Sequence, residues 1–188
     1  MTPREGGKAA SITLVLGGAR SGKSRYAEGL IAPQPPPWLY IATAQGCDAE
    51  MRERIARHRA RRASAWQTLE APHDLASALA TAPASVPLLV DCLTLWLSNR
   101  MLADAKIDGE IGALEMALAH RAGPVVLVSN EVGCGIVPDN ALARRFADLQ
   151  GELNQRLAGR ESAVQARCPA RCRSRPHWRP APSVRRDG

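Results

Sequence analysis

The segment Gly17-Gly18-Ala19-Arg20-Ser21-Gly22-Lys23-Ser24 constrains this chain more than any other, because it fits the phosphate-loop pattern G-x-x-x-x-G-K-[ST]. It follows "SITLVLGG", a short apolar run that reads as a buried strand, and it opens "SGKSRYAEGLIA", which has helical character. A strand, glycine-rich loop and helix in that order turn backbone N–H groups toward phosphate oxygens, and the helix N-terminus adds a favourable dipole. Lys23 is then placed to reach the β and γ phosphates of a nucleotide, and Ser24 to ligate Mg²⁺.

The rest of the chain continues the alternation. "PWLYIAT" is a second strand, and Asp48 to Arg62 a helix with Met51 and Ile55 one turn apart. "HDLASALAT" is a short helix, "VPLLVDCLTLWLSN" a third strand running into a helix, and "PVVLVSNEVGCG" a fourth strand with a glycine-bearing loop. "NALARRFADLQGELNQRLA" is a long amphipathic helix with Leu142, Phe146, Leu149, Leu153 and Leu157 along one side. Buried strands alternating with helices predict an α/β domain, its mostly parallel sheet covered by helices on both faces. This domain is expected over residues 11–159, after a polar preface at 1–10. Residues 160–188 hold eight Arg and four Pro and no aliphatic run, which predicts a disordered tail and a sheet lacking its C-terminal strand.

The net charge of +7 raises the question of a nucleic-acid partner, since basic proteins gain affinity for polyanions by counterion release. The tail carries +6 of it and residues 1–159 only +1, so the body offers no such surface and no nucleic-acid partner is expected. No apolar run approaches the roughly 20 residues needed to span a bilayer, and residues 1–10 are too polar for a signal peptide, so a cytoplasmic protein is expected. Cys47, Cys92, Cys134, Cys168 and Cys172 are scattered and odd in number, which argues against a disulfide framework. Cys168 and Cys172 with His177 fit no standard zinc spacing.

Three features carry candidate chemistry beyond the loop. Asp91 ends "PLLVD", where a Walker-B-type carboxylate holds the metal, although an acid there also suits the dipole of the following helix. Glu131 lies beyond the fourth strand on the same carboxyl edge, placed either to orient an acceptor hydroxyl or to hold its own loop. The third is "RERIARHRARR", residues 52–62. Asp48/Arg52, Glu50/Arg54 and Glu53/Arg57 are acid-to-base pairs four apart, which explains half of its arginines as a solvated helix face. Arg59, Arg61 and Arg62 have no such acid and lie just beyond His58, a local excess that a triphosphate would neutralise. His58 is then either a neutral imidazole nucleophile or an ordinary exposed histidine. His73 and His120 have no comparable surroundings and read as structural or exposed.

The segments "GGARSGKSRYAE", "LYIATAQ", "DAEMRERIARHR", Trp66 to Glu70, "LLVDCLTLWLSN" and "VVLVSNEVGCGIVPDNALARRFADLQGELNQRLA" together resemble the bifunctional adenosylcobinamide kinase / adenosylcobinamide-phosphate guanylyltransferase family, over residues 12 to 158. The resemblance implies a RecA-like P-loop fold, a homotrimer and two reactions. A nucleoside triphosphate, ATP or GTP, phosphorylates the aminopropanol hydroxyl of adenosylcobinamide. GTP then passes GMP through a histidine to that phosphate, giving adenosyl-GDP-cobinamide. The guanylylated histidine falls on His58, with Lys23 as the second catalytic residue. The GTP contacts fall on Gly17 to Ser24, on Thr43, Ala44 and Gln45, on Arg59, Ala60, Arg61 and Arg62, on Glu70 and on Asp91, with Mg²⁺ between Ser24 and Asp91. Relatives often carry two adjacent histidines, whereas this chain has Arg57-His58. They also continue past "LNQRLA" with a hydrophobic strand, so the abrupt change near Gly159 has the form of a frameshift. Two alternatives stay open: a P-loop kinase of another small metabolite without nucleotidyl transfer, which has no use for His58, and a RecA-like nucleic-acid-binding ATPase.

Overall fold

The computed structural model describes residues 11–46, 49–60, 62–133, 135–159 and 163–166. Six strands, β1 (Ile12–Gly17), β2 (Trp38–Ala42), β3 (Trp66–Glu70), β4 (Leu88–Asp91), β5 (Val125–Asn130) and β6 (Ala163–Ala166), form one sheet in the order β3-β2-β4-β5-β1-β6. Every pairing is parallel. The helices between them are α1 (Lys23–Ile31), α2 (Ala49–Ala60), α3 (Leu75–Thr81), α4 (Leu93–Leu102), α5 (Ile107–Ala119) and α6 (Ala141–Ala158).

The period-2 geometry of strands sorts the apolar runs between two cores. Leu14, Ile41, Leu88, Val90 and Leu127 point to one face, where they meet Leu75 and Leu79 of α3, Trp96 of α4, Ile111 of α5 and Leu153 of α6. Their chain neighbours Val15, Tyr40, Leu89, Val126 and Val128 point to the other, against Ala27 and Ile31 of α1. A sheet covered in this way needs apolar residues at successive positions, which is why the central strands read as unbroken hydrophobic runs.

The sheet corrects two expectations. It has six strands where the apolar runs announce four. β3 is an edge strand whose residues 67–70 are exposed, so it lacks the apolar run that betrays a buried strand. β6 overturns the expectation of a missing C-terminal strand. It pairs with β1 from Thr13↔Ala163 to Leu16↔Ala166, inside the region read as an Arg/Pro tail. An edge strand is held largely by main-chain hydrogen bonds to a single neighbour, so the short sequence "AVQA" suffices where a central strand would need more apolar surface. The remainder of the expected tail, with Cys168, Cys172 and His177, lies outside the described residues.

The helices follow their patterns with two departures. α5 is absent from the sequence reading: Gly109 and Gly112 weaken its local propensity, while burial of Ile107, Ile111, Leu114 and Leu118 against α3 overrides it. In α6, Leu153 and Leu157 are buried and Phe146 and Leu149 pack beside them, but Leu142 remains 53% exposed, so the buried stripe begins one turn later than its periodicity predicts. The helix starts at Asn140, whose side-chain Oδ1 accepts from the Leu142 and Ala143 amides.

Trp96 is the largest fully buried side chain, and its indole N–H donates to the His73 carbonyl at 3.0 Å, tying α4 to the segment that leads into α3. Trp96→Ala removes both the ring volume and this bond, and the expected loss is about 3–5 kcal/mol of unfolding free energy. Urea denaturation followed by circular dichroism measures it.

Candidate functional site

Parallel register brings the carboxyl ends of the central strands to one edge. Gly17 at the end of β1 stands opposite Asn130 at the end of β5, and Ala42 of β2 opposite Asp91 of β4. The phosphate loop leaves this edge from Gly17. Gly22 takes a φ of +82° as the N-cap of α1, a conformation that side chains resist, which explains the glycine immediately before Lys23. Lys23 is buried, and its Nζ donates to Gly18 O at 3.1 Å within the loop.

The loop forms one wall of a cavity of about 220 Å³. Ala19, Lys23 and Ser24 meet Ala44, Arg62 and Asp91 there, so six of the residues expected to touch nucleotide share one space. A second cavity, of about 680 Å³, is lined by Gln45, Arg59 and Glu70 among others, and Ala44 and Ile55 line both. Ile55 belongs to α2, and the backbone of His58 follows it by one turn on the same helix. The side chain of His58 lies outside the described residues, as do Asp48, Arg61 and the side chains of Glu50, Arg54 and Arg57.

The arginines after His58 are less isolated than the sequence implies. Arg59 forms a 2.8 Å ion pair with Glu70, reaching from α2 to the end of β3. An acid distant in the sequence therefore does what no helical neighbour does. Both partners are more than half exposed, so the pair adds little stability, and it remains open to exchange with a phosphate. Arg62 stacks its guanidinium 3.6 Å from the centre of the Tyr40 ring and donates to Thr68 Oγ1 at 3.0 Å. Ala60 ends α2 on the exposed side.

Thr43 directly follows β2 and turns inward. It is fully buried; its hydroxyl donates to Cys92 O at 2.7 Å and accepts from Cys92 N at 2.9 Å. Both hydrogen-bonding directions of the hydroxyl are thus spent on the turn after β4, and Thr43 shapes the cavity from behind. Gln45 remains near the surface with Nε2 at 2.8 Å from His73 Nε2. Glu131 accepts from Gly133 N at 2.8 Å with its own carboxylate and donates its amide to Gly17 O, and so ties its loop to the end of β1.

Several residues at the site escape the sequence reading. Tyr40 donates its hydroxyl to Asp91 Oδ2 at 2.6 Å. Asn130 lines the first cavity, and its Oδ1 is buried without a partner among the described residues. Cys92 lines the same cavity, but burial, then the Asp91 charge, push its thiol up to about 11, so it is no nucleophile near neutral pH. The available signal for Tyr40 and Asn130 was position: both lie at or near the carboxyl ends of strands in an open α/β sheet, where ligands bind. The Ser24 hydroxyl and the Asp91 carboxylate are hard oxygen donors on one cavity, a set that suits Mg²⁺. Among the described residues, no group of three or more His, Cys, Asp and Glu side chains that could hold a metal is found.

Comparison with known proteins agrees with this geometry. The sequence matches the family described as cobinamide kinase / cobinamide phosphate guanyltransferase over residues 13–168, which carries the match through β6. It is 53% identical to the bifunctional adenosylcobalamin biosynthesis protein CobP of Pseudomonas aeruginosa over 150 residues, covering 78% of this chain and 87% of the relative. It is 42% identical to the bifunctional adenosylcobalamin biosynthesis protein CobU of Salmonella typhimurium over 170 residues, covering 81% and 93%. The protein of the same name from Escherichia coli is 40% identical over 169 residues, again covering 81% and 93%. With a phosphate loop, an acid and an arginine gathered on one cavity of a parallel sheet, and a family match spanning five-sixths of its length, the chain belongs to the cobinamide kinase / cobinamide phosphate guanyltransferase family.

Proposed function

We propose that the cavity at the phosphate loop is the nucleotide site for both activities of the family: phosphorylation of adenosylcobinamide, and transfer of GMP from GTP to the phosphate so made. The observation that carries this reading is the meeting of Lys23, Ser24, Asp91 and Arg62 on one cavity, beside the helix that bears His58.

In the kinase step the aminopropanol hydroxyl oxygen attacks the γ-phosphorus, its proton passes to water, and the bond from that phosphorus to the β-bridging oxygen breaks to release the nucleoside diphosphate. Loop amides and Lys23 balance the charge that gathers on the β and γ phosphates. In the transfer step a neutral imidazole nitrogen of His58 attacks the α-phosphorus of GTP, and pyrophosphate departs as the α–β bond breaks. Arg59 in the last turn of α2, with Arg61 and Arg62 that follow it in the chain, stabilises the departing anion. A phosphate oxygen of adenosylcobinamide phosphate then attacks the guanylyl phosphorus, freeing the imidazole and yielding adenosyl-GDP-cobinamide. Mg²⁺, held by Ser24 and Asp91, would neutralise phosphate charge in both steps. Ala44 and Gln45 stand beside the triphosphate, and Glu70 competes with it for Arg59.

The exposed residues Ile136, at 98%, and Val137, at 73%, suit a contact between copies, and a homotrimer belongs to the same reading. Among the described residues no helix is long and apolar enough to cross a membrane.

Incubation with α-labelled GTP and Mg²⁺ tests the transfer step. The expected result is an acid-labile, base-stable label on the protein that disappears in His58→Ala; an unlabelled native protein rejects the reading in favour of a simple kinase. Lys23→Ala should lower both phosphorylation and labelling by about 10²–10³-fold, the loss that follows removal of a group poised on developing charge. Sedimentation equilibrium at micromolar concentration should report three copies per particle, and a monomer rejects the assembly.

A further inference from the structure

Tyr40 joins two parts of the site that the chain keeps far apart. It sits on β2, a residue only 4% exposed, packed edge-on against Trp66 with ring centres 5.9 Å apart. Its hydroxyl reaches Asp91 Oδ2 at 2.6 Å, across the β2–β4 pairing. The outer face of the same ring carries the Arg62 guanidinium at 3.6 Å. Tyr40, Asp91 and Arg62 all line the cavity that the phosphate loop closes.

Each contact fixes a different degree of freedom. With Oδ2 engaged, the Asp91 carboxylate cannot rotate freely about its Cβ–Cγ bond, so the direction of Oδ1 is set as well. The hydroxyl proton points at that carboxylate, so Tyr40 acts as the donor and Asp91 as the acceptor of this bond. Arg62 lies two residues past the end of α2, and stacking on an aromatic face limits an otherwise mobile side chain. A hydrogen bond to Thr68 Oγ1 adds to this seat.

We propose that Tyr40 is a positioning residue for the nucleotide reactions: its hydroxyl orients the Asp91 carboxylate toward the phosphate loop while its ring seats Arg62 over the same cavity. One side chain thereby couples the acid at the end of β4 to the arginines that follow His58. The inference rests on the reading of Asp91 as the acid that holds Mg²⁺ with the triphosphate.

Calorimetric binding of an α,β-methylene analogue of GTP, with Mg²⁺ and with EDTA, tests it without turnover. Groups that orient a metal ligand are worth about 10–100-fold in metal affinity. Tyr40→Phe keeps the ring and should lose at least tenfold of the affinity gained from Mg²⁺, while binding in EDTA stays within twofold of native. Tyr40→Leu removes the seat of Arg62 as well and should weaken binding in EDTA by a further two- to fivefold. Tyr40→Phe with a native gain from Mg²⁺ overturns the proposal, and so does an equal loss in both conditions, which marks a hydroxyl that only supports the fold. Asp91→Asn separates the two readings. If it abolishes the gain while Tyr40→Phe does not, Tyr40 alone is rejected; if it preserves the gain, the reading of Asp91 falls and the positioning role with it.

Discussion

The register of β1 against β5 is the constraint on which the rest of the structure depends. Six consecutive pairs, from Ile12↔Val125 to Gly17↔Asn130, align the last residues of the two strands so that both chains leave the sheet at one level. The phosphate loop starts from that level, and Glu131 N returns a hydrogen bond to Gly17 O there. A slip of one residue would turn Leu14 and Val15 to the wrong cores and displace the loop from the edge where Asp91 and Asn130 wait.

Polar groups hold this edge in place from beneath. Ser129 donates to Asn154 of α6 at 2.6 Å, Gln150 donates to both, and Asn154 reaches the Asn130 carbonyl at 3.1 Å. All three side chains are buried, so leaving one of these groups unpaired would cost about 1–3 kcal/mol, and the network resists rearrangement for that reason. On the other side of the cavity, Thr43 closes a double hydrogen bond with Cys92, and Asn99 donates to the carbonyls of Thr43 and Pro72. The cavity wall is thus braced by side chains that do not line it.

Charge in this protein is informative by place and not by amount. The body of the chain is close to neutral, and the described arginines on and beyond α2 have partners once the fold is formed. Arg59 finds Glu70, Arg62 finds Tyr40 and Thr68, and Arg52 donates to the Gly46 carbonyl at 3.2 Å. For these three described arginines, what counts as charge in one dimension is an exposed or stacked contact in three.

Local sequence determined the elements whose signal is complete within a few residues. The phosphate loop, the central apolar strands and the amphipathic α6 were all legible, because glycine spacing and hydrophobic period report backbone geometry and burial directly. The family resemblance supplied the two reactions and the choice of His58, which the residues alone left open. The sequence did not contain β3, α5 or β6, whose stability comes from pairing and packing with distant segments. Nor did it separate Thr43, turned into the sheet, from Ala44, which lines the cavity, since adjacent residues differ only in the direction that the end of a strand gives them. Tertiary structure alone decided that Tyr40 meets Asp91 and that Arg59 meets Glu70. These pairs are 51 and 11 residues apart; the parallel register of β2 with β4 brings the first within reach of a hydrogen bond, and the placing of α2 beside the end of β3 the second.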